Sequence, residues 1–104
     1  MTKPTLKLTK TTVRPSVDVP FFENSPEHLS YVEETYVLTG KLQFPMPVIS
    51  TDGLTQELSM YASSQADVDE IDADPVIQAN AQAMIEYNAA NGIKVTNRSK
   101  MDIV

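Results

Sequence analysis

The sequence contains no cysteine. That excludes disulfides, thiolate metal sites and cysteine nucleophiles together, and it leaves the redox compartment open. Tryptophan is missing as well, and the single histidine is His28. With three glycines in 104 residues, neither a glycine-rich phosphate loop nor a nucleophile elbow can be built. Positive charge is scarce: eight basic residues stand against fourteen acidic ones, a net charge of −6. A surface of that sign repels phosphate backbones and anionic membranes, so neither nucleic acid nor a membrane is an expected partner. No apolar run approaches the roughly 20 residues of a spanning helix. The basic start, MTKPTLKLTK, is followed by no apolar segment of the signal-peptide type. The expectation is a soluble, cytoplasmic protein.

What is present is enough for one core. A chain of this length forms a single domain, 1–104, and folding buries roughly two-thirds of its extended surface. The organising stretch is 41–62. Leu42, Phe44, Met46 and Val48 alternate with polar residues and prolines, and Leu54, Leu58, Met60 and Ala62 alternate in the same way, with Gln56 the one polar residue in that second row. Period two predicts half-buried strands. Asp52-Gly53 between them predicts a hairpin with a type I′ turn. Pro45 and Pro47 cannot donate ladder hydrogen bonds, so the first of these strands is expected at a sheet edge or a bulge.

The other elements follow from caps and periods. Residues 5–14 are threonine-rich with Leu6 and Leu8 alternating, a strand that Pro15 ends. Residues 15–24 form an extended connection whose Phe21 and Phe22 require cover. Ser25-Pro26-Glu27 is a helix start, and Leu29, Val32 and Tyr36 fall on one helical face, giving a helix from Pro26 to about Thr39. Ser64 with Asp67, then Asp74-Pro75, predict a broken helix: a short piece over 64–72 and a long one from Pro75 to about Ala90. The long piece has two apolar faces, one of Ile77, Ala81, Met84 and Ile85, the other of Val76, Ala79, Ala83, Tyr87 and Ala90. Ile93 and Val95 begin a last strand, and Met101, Ile103 and Val104 make an apolar tail.

The order is β-α-β-β-α-β, an α+β chain of the ferredoxin-like kind, with a four-stranded antiparallel sheet and its helices on one face. Right-handed crossovers place the second strand at an edge, where its prolines independently require it.

In this setting, Met60-Tyr61-Ala62-Ser63-Ser64-Gln65-Ala66-Asp67-Val68, with Ala73-Asp74-Pro75 and the Asn91-Gly92-Ile93 return, resembles the dimeric α+β barrel group, which includes antibiotic-biosynthesis-type monooxygenases. The resemblance covers roughly half the chain. It implies two ferredoxin-like subunits packed sheet to sheet, with a pocket between sheet and helices. The chain departs from those enzymes in lacking tryptophan, cysteine and any histidine in its second half. The resemblance thus bears on fold and dimerisation more than on activity.

Few residues carry chemistry. His28 in a first helical turn suits a pocket mouth or a plain surface position. Tyr61 and Tyr36, with Tyr31 and Tyr87, could line a pocket or fill core and interface. His28, Tyr61 and Tyr36 are the expected ligand-binding residues, for a small apolar ligand. The acidic run Asp67, Asp69, Glu70, Asp72 and Asp74 lacks the glycine and terminal glutamate of a calcium loop and reads as a solvated helix face. No catalytic residue, metal or cofactor is indicated. The expected function is a non-catalytic homodimeric structural or interaction domain, with a small-molecule-binding or cofactor-free monooxygenase-like enzyme as the alternative. The sheet face away from the helices is expected to form the dimer, with Ile49 and Tyr61 among Gln43, Thr55, Glu57 and Ser59.

Overall fold

The computed structural model describes residues 3–103. It is an α+β arrangement of five strands and three helices. Their order is β1 (Leu6–Val13), α1 (Pro26–Val32), β2 (Leu42–Gln43), β3 (Val48–Ile49), β4 (Thr55–Ala62), α2 (Gln65–Asp72), α3 (Pro75–Asn91) and β5 (Lys94–Asp102). The sheet runs β2-β4-β1-β5, with β3 also paired to β4, and every pairing is antiparallel.

The expected four strands are five because the first hairpin strand is cut in two. Phe44 to Pro47 lies between β2 and β3, and the two prolines in it have no N–H to give the ladder. The break also changes the register. Leu42 pairs with Ala62 and Gln43 with Tyr61, but Val48 pairs with Glu57 and Ile49 with Gln56. The two pieces are therefore out of step by one residue, and a one-residue slip turns every side chain to the other face. Leu42 is buried at 2% exposure, whereas Phe44, Met46 and Val48 are exposed, Met46 at 87%. The alternating apolar row does not form one buried face. Ile49 moves the other way: it joins Gln56 on the face of Leu42 and leaves the face of Tyr61 and Glu57.

The turn differs too. Gly53 has φ 76°, but among the described residues no non-glycine residue has positive φ, so Asp52 does not adopt the type I′ conformation. The connection is longer, closed by Ser50 N–H donating to Thr55 O and Gly53 N–H donating to Ser50 O. Asp52 accepts from the Ser50 hydroxyl and from Leu54 N–H, a local bonding pattern typical of aspartate in turns.

The helices start where the caps require. Ser25 accepts from His28 N–H, Ser64 from Asp67 N–H, and Asp74 from Val76 N–H. The first helix does not stay α-helical. After Val32 it widens into a π-helical stretch, Glu33–Val37, and it ends short of Thr39.

The core is a compact cluster at one end of the sheet: Leu6, Leu42 and Ala62 from three adjacent strands, Val32 and Tyr36 from the first helix, and Val68 and Ile71 from α2. Ile77 of α3 packs against it. Further along the same sheet face, the Lys10 ammonium donates to Met84 Sδ of α3. All three helices thus reach the sheet on one face. α3 covers it thinly: Asn88 is its one buried residue, while Ile85 and Val76 are exposed, so neither expected apolar face of α3 is wholly buried. The connection 14–24 is anchored. Phe21 lies under the Arg14 guanidinium, 4.4 Å from its ring centroid, and Phe22 meets Tyr87 edge to face at 5.6 Å. Of the apolar tail, Met101 and Ile103 are exposed, with Ile103 N–H donating to Thr5 O, and Val104 falls outside the described residues.

Candidate functional site

The densest polar feature joins the first helix to the start of α3. Tyr31 and Tyr36 both donate their phenolic hydrogens to Oδ2 of Asp74, each at 2.5 Å, while Oδ1 accepts from Val76 N–H as the α3 cap. Residues five apart on a regular α-helix point about 140° away from each other, at about 100° per residue. The π-helical stretch has more residues per turn and brings the two rings to one side, with centroids 6.3 Å apart and planes at 85°. Tyr36 is buried, and Tyr31 is half-buried at the edge of a cleft.

That cleft, about 430 Å³, lies between the two helices. Val76, Ala79 and Ala83 line it from α3, at helical spacing of three and four. His28, Tyr31 and Glu27 line it from the first helix. Val76 and the alanine methyls give this open depression an apolar floor, with Ser25, Glu27, His28 and Asn80 as its polar lining.

The protonation states are set by these contacts. The two phenols hold the Asp74 carboxyl below the usual carboxylate range, because both hydrogen bonds favour its charged form. Tyr36 is pushed up, first by burial and then by its hydrogen bond to Asp74. Tyr31 is raised, first by that same hydrogen bond. Partial burial pulls the His28 imidazole down, with the Asp74 charge acting the other way. At neutral pH the trio is a carboxylate with two protonated phenols beside a neutral imidazole. Neither phenol is a base there, and both hydroxyls already donate their hydrogen bonds to Asp74.

Of the expected ligand-binding residues, Tyr36 joins Tyr31 on Asp74, and His28 lines the cleft beside Tyr31 without a side-chain hydrogen bond to them. Tyr61 does neither. It lies on the opposite face of the sheet, half-buried, with the Lys7 ammonium 5.8 Å from its ring centroid. It borders a shallow recess of about 330 Å³ with Val37, Gln43, Phe44 and Pro45. The sequence marks Asp74 only as a cap. Its role as acceptor for two tyrosines depends on the π-helical stretch, for which the alternation of apolar residues gives no sign.

Among the described residues, no group of three or more His, Asp and Glu side chains is arranged to hold a metal ion. No helix there is long and apolar enough to cross a membrane. Compared with known proteins, the chain matches no family model, no curated protein and no solved structure.

Proposed function

We propose that the chain is a ferredoxin-like, non-catalytic interaction domain that forms a homodimer through the helix-free face of its sheet. The observation that carries this reading is the character of that face. Residues opposite each other across a ladder share a face. Tyr61–Lys7–Met101, Ser59–Thr9–Ser99 and Glu57–Thr11–Asn97 therefore form three successive rows across β4, β1 and β5. The middle row is three hydroxyls with no charge. An uncharged, hydrogen-bonding central row between Lys7 and Glu57, with Tyr61, Met101 and Val48 towards the margins, suits a partly polar, isologous two-fold interface. The strand order β2-β4-β1-β5 supports the ferredoxin-like arrangement, with β2 and β3 as one interrupted edge strand. Two such sheets packed face to face make the dimeric α+β barrel that the 60–68 stretch resembles.

The Asp74 network supports a non-catalytic role. Its hydrogen bonds are spent on joining two helices, and its groups sit in their resting protonation states at neutral pH. Sedimentation at micromolar concentration tests the dimer. A species of twice the 11.5 kDa chain mass is expected, and Thr9→Lys, which sets a charge at the centre of the face, should shift it to the monomer. A wild-type protein that sediments only as a monomer overturns the reading.

The His28 cleft favours a second reading, a binding site for a small apolar ligand in an enzyme of the monooxygenase-like kind. Mass spectrometry of co-purified small molecules tests it. Ala79→Leu, which fills the cleft, should abolish any ligand found.

A further inference from the structure

The two edges of the sheet are unlike. One is β2 and β3, two residues each, interrupted by Phe44–Pro47. A strand arriving there would meet a broken ladder and two prolines without N–H groups, the usual protection of an edge. The other edge is β5. It runs nine residues without proline or glycine, pairs with β1 alone among the described residues, and is exposed along its whole length. Half of its backbone N–H and C=O groups point away from β1 and meet no strand.

This free edge is also where the scarce positive charge collects. β1 and β5 together carry Lys7, Lys10, Lys94, Arg98 and Lys100, and only one acid, Asp102. Five cations and one anion give a local net of +4 in a chain of −6. Lys10 faces Arg98 directly across the ladder, and Leu8 faces Lys100. Like charges directly opposite are destabilising, so this pairing calls for an anion. None is supplied. The Lys10 ammonium has the Met84 thioether as its acceptor, at 2.7 Å, and a thioether is a weak acceptor. Among the described residues the Arg98 side chain has no hydrogen bond or ion pair, and the one ion pair is Lys41 with Glu70, far along the chain. Lys10 is pulled below the usual lysine range, first by burial and then by Arg98, as expected of a cation lacking its counter-charge.

We propose that β5 is a docking edge for an extended acidic segment of another protein, which adds as a further strand with carboxylates at alternate positions opposite Arg98 and Lys100. The period follows from the sheet. Arg98 and Lys100 share the face of Lys10, while Asn97 and Ser99 share the other face with Thr11 and Thr9. The incoming strand therefore reads acid, small polar, acid. Main-chain bonds to the edge give affinity, and the carboxylates give register and charge match. A second copy of this chain does not fit. Antiparallel pairing of two β5 strands centred on Asn97 sets Lys94 against Lys100, and centring on Arg98 sets that residue against itself. A polyphosphate answers the charge but has no groups to extend the ladder. This inference uses the backbone edge of β5, whose Asn97, Ser99 and Met101 also border the face of the proposed dimer, and it stands without that dimer.

The test uses the full chain and a fluorescein-labelled nine-residue peptide alternating glutamate and threonine, read by fluorescence anisotropy in low salt. Saturable binding is expected, with hydrogen-exchange protection of the β5 amides. The double variant Arg98→Gln, Lys100→Gln should weaken binding by about tenfold or more. Its charges are exposed, so its circular dichroism should match the wild type. A peptide of the same charge with prolines at two inner threonine positions should lose binding to a similar extent. The proposal is overturned if the parent peptide does not bind. It is also overturned if the double variant binds it unchanged. A proline-bearing peptide or a single-stranded oligonucleotide that binds as tightly as the parent would show charge attraction without strand addition, and would overturn it as well.

Discussion

Tyr36 Oη donates to Asp74 Oδ2 at 2.5 Å and thereby ties the π-helical end of the first helix to the cap of α3, 38 residues later. Tyr36 is 3% exposed, so its hydroxyl would have little access to water without this partner. Tyr36→Phe removes one charge-assisted bond and keeps the ring, and a loss of about 1–2 kcal/mol is expected. Asp74→Ala should cost more, because it removes the α3 cap and leaves the buried phenol without an acceptor. Urea denaturation of the two variants measures both. Equal stability of wild type and Tyr36→Phe would refute the role given to the bond.

The same network sets a pH dependence. His28 and Asp74 both have folded-state pKa values below their ordinary ones. For a depressed group, stability is fully present above the unfolded pKa and is lost as pH falls through the folded one. Loss should begin for His28 below about pH 6.5 and deepen below about pH 4 as Asp74 and Asp52 take protons. Tyr36 and Tyr31 are raised, so their contribution is present below about pH 10 and is lost as pH rises beyond it. Melting temperature should therefore fall below about pH 6.5 and again above about pH 10, with Lys10, whose pKa is lowered, adding stability as it loses its proton at the alkaline end. His28→Gln should flatten the shoulder near pH 6.

Two glycines should respond unequally to alanine. Gly53 has φ 76°, and an added Cβ would lie 3.1 Å from Val17 Cγ1, tighter than ordinary contact. Gly92 has φ 69°, but its nearest neighbour would be Pro15 Cγ at 3.5 Å. Both substitutions force a side chain into the left-handed region, at a cost of about 1 kcal/mol. Gly53→Ala should exceed Gly92→Ala, because Val17 must also shift. Thermal unfolding of the pair decides it.

The apolar row of the first hairpin strand should divide sharply on substitution. Leu42→Ala opens a cavity among Leu6, Tyr36 and Ala62, at about 2–5 kcal/mol. Met46→Ala should change stability by no more than about 0.5 kcal/mol, since its side chain packs on almost nothing. A comparable loss at both positions would contradict the split strand.

The features legible in the sequence are those that depend on neighbours in the chain. Ser25, Ser64 and Asp74 cap helices through backbone N–H groups two or three residues on, so their spacing alone reveals them. The edge position of the proline-bearing strand is legible in the same way, because proline lacks a ladder donor wherever it stands. His28 and Tyr36 could be singled out by type, but the Asp74 carboxylate could not be joined to Tyr31 and Tyr36, because it lies 43 and 38 residues away from them.

The sequence by itself determined the order of the elements, their caps and the one edge that cannot be extended, since each rests on local backbone chemistry. Only the tertiary structure decided which face each side chain meets. A single-residue slip between Leu42–Ala62 and Val48–Glu57 turns Val48 and Ile49 over, and a π-helical stretch swings Tyr31 and Tyr36 onto one carboxylate. Both shifts keep the alternation of residues and change only its phase. Phase is fixed by cross-strand pairing and packing between helices, which no window of sequence contains.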